Sequence, residues 1–225
     1  MRRLLTAAAA TAALTTALLA GPGTITPAHA DSAPVPVVLI HGRNADSGVW
    51  DRLKAYLVQN GVPQNEIFTW DYDTSLSTNE VLAGELADYV NSIGAAKVNI
   101  VAHSLGSLPS RWYIKYGGGS QKVAKWISLA GPNNGTTLGY LCALWDQGCK
   151  DMTPNSWVIS HLNQDTATPG PTRYTTLWSP DDEQIIPATS TRLSGATNIE
   201  VDGLKHNDFL SSTVVFKQID EILTR

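Results

Sequence analysis

Cysteine and charge are both scarce in this sequence. Two cysteines stand among 225 residues, and 16% of the chain is charged. No other cysteine exists, and no group of histidines and carboxylates has metal-ligand spacing, so neither a metal nor a cofactor is expected. Basic residues form no run beyond Arg2-Arg3, and the net charge is −4. That balance argues against nucleic acid or an anionic membrane as the main partner. Repeats are absent, and low complexity is confined to the first thirty residues. No insertion is long enough to form a separate cap domain.

What is present begins with an export signal. Arg2 and Arg3 supply a positive start, and Leu4 to Ala20 follows without a charge. Ala28-His29-Ala30 then gives the small residues that signal peptidase recognises, so cleavage is predicted before Asp31. The stretch is a poor membrane anchor, because Thr11, Thr15 and Thr16 interrupt it and Gly21-Pro22-Gly23 ends it. Residues 1–30 are read as a secretory signal peptide and residues 31–225 as one domain. The remaining 195 residues carry a net charge of −6, since the leader holds two of the 16 basic residues and none of the 20 acidic ones. That length suits one sizeable core. In an exported protein, Cys142 and Cys149 are expected to pair and close a small loop.

Strand and helix signals alternate along the mature chain. Val35 to Ile40 is an unbroken apolar run, as in a parallel strand buried on both faces. Ser47 to Asn60 has apolar residues at helical spacing, with Asp46 or Ser47 as cap and Gly61 as stop. Ile67 to Tyr72 reads as a strand. Ser77 and Glu80 predict a capping box for the helix that ends at Gly94. Val98 to Ala102, Leu105 to Tyr116 and Val123 to Leu129 read as strand, helix and strand. Pro132 to Pro154 is a long connection holding both cysteines. Ser156 to Leu162 reads as a helix, Tyr174 to Trp178 and Asn198 to Val201 as strands, and Phe209 to Leu223 as a closing helix. The alternation predicts an α/β fold with a mostly parallel, doubly wound sheet.

Ala102-His103-Ser104-Leu105-Gly106 follows an apolar strand and opens a helix. This is the setting of a nucleophile elbow, where small residues two before and two after the serine permit a tight turn. The serine hydroxyl then stands above the sheet at the positive end of the helix. A base and an acid must follow, in the order serine, acid, histidine. His29 lies in the leader, His41 precedes the loop after the first strand, His103 is inside the elbow, and His161 lies on a predicted helix. His206, in the loop from Gly203 to Asp208, remains as the base. The acid lies among Asp181, Asp182 and Glu183, after the strand that ends at Trp178. Two backbone amides should receive the negative oxygen of the reaction. Leu105 supplies one and Arg43, after the sharp His41-Gly42 turn, the other; the Arg43 side chain is read as solvated.

Val38 to Gly42, Val101 to Gly106 and Leu129 to Asn133 together resemble the small secreted bacterial class 2 lipases. The resemblance covers essentially the whole mature chain, including Trp178-Ser179 and Gly203 to Leu210. It implies the α/β-hydrolase fold in a minimal version without a cap, and hydrolysis of carboxylic esters. It also implies that Asp182 is the acid, four residues after the strand-ending aromatic and five before Pro187. Pro109 in the helix after the elbow and the Leu141 to Cys149 loop depart from the family pattern. The expected substrate is a small or polymeric ester, with a polyester or transfer to an alcohol as alternatives. The protein is expected to act extracellularly as a monomer, with transient contact to lipid or polymer surfaces. Leu141, Leu144 and Trp145 either form an exposed apolar rim for such a surface or pack beneath the loop.

Overall fold

A computed structural model describes residues 34–225. The proposed leader and its cleavage site lie outside these residues. The described chain builds one six-stranded sheet, β1 Val37–Ile40, β2 Ile67–Trp70, β3 Val98–His103, β4 Val123–Leu129, β5 Arg173–Trp178 and β6 Thr197–Glu200. The spatial order is β2-β1-β3-β4-β5-β6, and every neighbouring pair is parallel. Six helices accompany it: α1 Asp51–Gln59, α2 Asn79–Ser92, α3 Ser107–Tyr116, α4 Gln147–Met152, α5 Trp157–Asn163 and α6 Thr213–Thr224. No cap domain is present among the described residues.

The unbroken apolar run of β1 has a physical reason. Successive side chains point to opposite faces, so a strand covered on both sides carries apolar residues on both faces. Val38, Ile40, Ile100 and Trp126 pack with Leu82, Leu86, Val90 and Ile114 from α2 and α3. On the other face, Val37, Leu39, Val101 and Ile127 pack with Leu53, Leu57, Val215, Phe216 and Ile219 from α1 and α6. Fully burying one such Val, Leu or Ile side chain stabilises the fold by about 1.5–3 kcal/mol. The Trp126 indole N–H, also in the core, donates to Ser110 Oγ at 2.8 Å.

Two local expectations are corrected. The Ser77–Glu80 capping box does not form. Thr78 is the residue at the start of α2, it makes no side-chain cap, and the free Asn79 amide donates instead to Asp151 Oδ2 at 3.0 Å. A partner 72 residues away replaces the local one. The closing helix is also split: a 3-10 turn, His206–Leu210, precedes α6. Asp46 does cap the turn before α1 by accepting from Gly48 N, and Ser156 caps α5. Pro109 stands in the first turn of α3, where proline is tolerated.

The strand order fixes where a site can lie. The chain leaves β1 toward β2 on one side, then returns to place β3 on the other side of β1. At such a switch point the loops beyond the two carboxyl ends diverge and open a crevice. Those loops begin at His41 and at Ser104.

Candidate active site

Ser104 follows β3 with φ 52, a left-handed conformation that a non-glycine residue adopts at a steric cost. The strain turns its side chain out of the sheet just as α3 begins. Two glycines allow the crowding. A Cβ on Gly106 would stand 2.6 Å from the His41 carbonyl oxygen, and one on Gly42 would stand 2.9 Å from Ser104 Cβ. The loop after β1 is therefore pressed against the turn after β3.

Ser104 Oγ lies 2.9 Å from His206 Nε2. On the other side of the ring, His206 Nδ1 lies 2.9 and 3.1 Å from the two oxygens of Asp182. All three side chains are buried. Nδ1–H can donate to the carboxylate while Nε2 accepts from the hydroxyl, which is the tautomer a general base requires. Burial raises the Asp182 carboxyl. The hydrogen bond and charge of His206, with the amides of Ile185 and Gln184, outweigh it and hold the pKa below the usual carboxylate value. Asp182 Oδ1 accepts from those amides at 3.0 and 2.8 Å.

The two neighbouring carboxylates also have partners. Asp181 Oδ2 accepts from Gly203 N at 3.0 Å, and Glu183 Oε2 from His206 N at 3.1 Å. Both clamp the backbone that carries His206. No pattern along the sequence marks these bonds, because their partners lie more than twenty positions away.

Leu105 follows Ser104 directly in the chain, and Arg43 lines the same cleft as Ser104. Among the described residues, the Arg43 N–H donates to no protein acceptor. His41 explains part of its aim. Nδ1–H of His41 donates to the Gly42 carbonyl at 2.8 Å. In a trans peptide the carbonyl and the following N–H point in opposite directions, so fixing Gly42 O turns the Arg43 N–H the other way. The side chain of Arg43 is not free in solvent as expected. Its Nε and Nη2 donate to Asp146 Oδ2 at 2.8 and 2.6 Å.

Cys142 and Cys149 are bonded to each other. Near them, Ser104 and His206 line a cleft of about 560 Å3, with Leu138, Leu141, Met152, Ile185 and Leu210 as apolar wall. The outer rim is exposed: Leu141 and Trp145 are each 72% exposed and Leu144 92%. The packing alternative for these side chains is thereby excluded. Thr136 to Leu138 is tied down, by Thr136 N to Met152 O, Thr137 N to Ile186 O and Thr136 Oγ1 to Gln184 O. Among the described residues no three His, Cys, Asp or Glu side chains converge in a metal-binding group, and no helix is long and apolar enough to cross a membrane.

The sequence matches the family described as Lipase (class 2) over residues 34–221. The chain belongs to the class 2 lipases. Its fold is that of the α/β-hydrolases. The mature form of the Bacillus licheniformis lipase BlEst2 superposes with a TM-score of 0.73 at 19% identity, covering 87% of this chain and 94% of that one. Aspergillus fumigatus lipase B gives 0.74 at 18% identity, over 87% of this chain and 53% of that one. The Rhodococcus esterase RhEst1 gives 0.59 at 14% identity, over 85% and 91%. At these identities the likeness is one of fold, while family membership supports ester hydrolysis as the chemistry.

Proposed function

We propose that this class 2 lipase is a secreted serine hydrolase whose Ser104, His206 and Asp182 cleave carboxylic esters through an acyl-enzyme. One observation carries the reading: the His206 ring lies between Ser104 Oγ and Asp182, each within 3.1 Å. His206 Nε2 takes the hydroxyl proton as Ser104 Oγ bonds to the ester carbonyl carbon. Asp182 holds the ring's tautomer and balances the imidazolium that forms. The Arg43 and Leu105 amides receive the tetrahedral oxyanion. His206 then protonates the departing alcohol, and the ester C–O bond breaks. Water attacks the acyl-enzyme with His206 again as base, releasing the acid and restoring Ser104.

The same reading has residues 1–30 removed on export, residues 31–225 as one catalytic domain, and a monomeric protein free of metal and cofactor. The substrate class is an ester presented at a lipid or polymer surface. Support comes from the exposed rim of Leu141, Leu144 and Trp145 beside a cleft with an apolar wall. Contiguous exposed apolar surface is unfavourable in water unless it meets another apolar surface. The rim also favours a second reading, a polyester as the natural substrate. Rates on a chain-length series of p-nitrophenyl esters, an emulsified triglyceride and a polyester film separate these. No turnover on any ester, or full turnover by Ser104→Ala, would overturn the proposal. Product analysis with added alcohol tests for acyl transfer by the same residues.

A further inference from the structure

Asp146 takes no part in the reaction proposed above, yet it is a buried carboxylate at the edge of the same site. Each of its oxygens has a task. Oδ2 receives both Nε and Nη2 of Arg43, and Oδ1 accepts from Cys149 N at 2.8 Å, capping α4. The residue stands inside the loop closed by the Cys142–Cys149 bridge. That loop is anchored a second time where Gln147 N donates to Ser75 O at 2.7 Å. Behind it, Cys149 and Met152 share a buried apolar cluster with Leu105. One short segment thus bears on both residues whose amides are proposed to receive the oxyanion.

Arg43 lies in an irregular turn and cannot rely on a helix or strand for its orientation. Asn44, next to it, has φ 54, and its amide donates to Thr74 Oγ1 at 3.1 Å. His41 fixes the Gly42 carbonyl from the other direction. The guanidinium on Asp146 is the third restraint and the only charged one. We infer that Asp146 is a positioning residue: through Arg43 it holds the oxyanion-binding amide in place, with the bridged loop as its mount. The inference rests on the proposed role of that amide. Oxyanion donors act by being fixed before charge develops, so a small displacement is felt in the transition state more than in substrate binding.

Asp146→Asn is the direct test, since an amide oxygen can still cap α4 while the charge facing Arg43 is lost. On a soluble short-chain p-nitrophenyl ester, kcat should fall about 10- to 100-fold with KM within about twofold. Affinity for an alkyl boronic acid, which forms a tetrahedral adduct on serine, should fall by a similar factor. Arg43→Gln should behave alike, and the double variant should be no worse than the more severe single one. Arg43→Lys retains charge but not the two-pronged contact, and serves if Asp146→Asn does not fold. Parent-like kcat in Asp146→Asn, a rise in KM alone, or losses that multiply in the double variant would overturn the positioning role. Ser104→Ala is assayed beside them. If it is inactive while Asp146→Asn matches the parent, this inference fails alone. If Ser104→Ala remains active, the proposed function fails with it.

Discussion

His103 Nε2 lies 3.1 Å from the backbone carbonyl oxygen of His206, and the two imidazole rings stand 4.8 Å apart. The residue before the proposed nucleophile thus supports the backbone of the proposed base. Burial, followed by the nearness of His206, pushes the His103 pKa down to about 3. Over the working pH range His103 is therefore a neutral donor and takes up no proton of its own. The acid limb of log kcat/KM against pH should have unit slope. A slope of two between pH 4 and 7 would mean that His103 titrates in that range.

Ser104→Ala and His206→Ala should each lower ester turnover on the order of 10⁴-fold or more in folded protein. Asp182→Asn should cost more than Asp181→Asn or Glu183→Gln. The latter two should still show a measurable loss, because Asp181 and Glu183 bind the Gly203 and His206 amides. Steady-state kinetics on purified variants decide the ranking. Equal, mild losses from all three acids would place the third group elsewhere.

Removing the bridge with Cys142→Ser and Cys149→Ser should lower unfolding stability by about 2–3 kcal/mol, since the closed loop is short. Urea melts measure this. Activity on bulky esters should drop more than stability does, because Cys142 and Cys149 both line the cleft. Intact-mass analysis of the secreted parent should find no free thiol.

The site is expected to be open. The segment from Thr136 to Asp146 is fastened by backbone bonds at its start, by the bridge, and by Asp146 on Arg43. Hydrolysis of a soluble ester should rise smoothly through its solubility limit. A several-fold step there would reveal a moving flap. Leu144→Ser with Trp145→Ser should reduce turnover of an emulsion or film by about fivefold or more. Turnover of a soluble ester should change by less than about twofold.

Asp151 offers a stability test with a defined sign. Burial raises its pKa to about 6, against the favourable bonds from Gln147 and the Asn79 amide. The folded state therefore binds this proton more tightly than the unfolded chain, whose value is near 3.8. The resulting stabilisation is complete below pH 3.8 and is lost as pH rises through 6. Asp151→Asn does not titrate. Its melting temperature relative to the parent should climb between pH 4 and 7, and a constant difference would refute the shift.

Local pattern was sufficient for the sheet. Val37 to Ile40 is apolar at every position, and Val123 to Leu129 at all but Lys125 and Ser128, because both faces are covered, and that requirement is written into consecutive residues. The turn at Ala102 to Gly106 was legible for the same reason, since its steric demand falls on neighbouring positions. The order of Ser104, the acidic triplet and His206 could also be read along the chain. Outside that trio, what could not be read were the hydrogen bonds and ion pairs that span the fold. Asp151 displaced the expected Ser77–Glu80 cap. Arg43 found Asp146 at a separation of 103 residues, and His103 found the His206 carbonyl at the same separation. The outward face of Leu141, Leu144 and Trp145 was equally hidden, because composition does not say which side of a loop meets water. The sequence determined the layers through short-range periodicity and local sterics. Tertiary structure decided which distant polar groups meet, because a hydrogen bond depends on separation in space, and residues far apart in the chain are brought together only when the sheet is assembled.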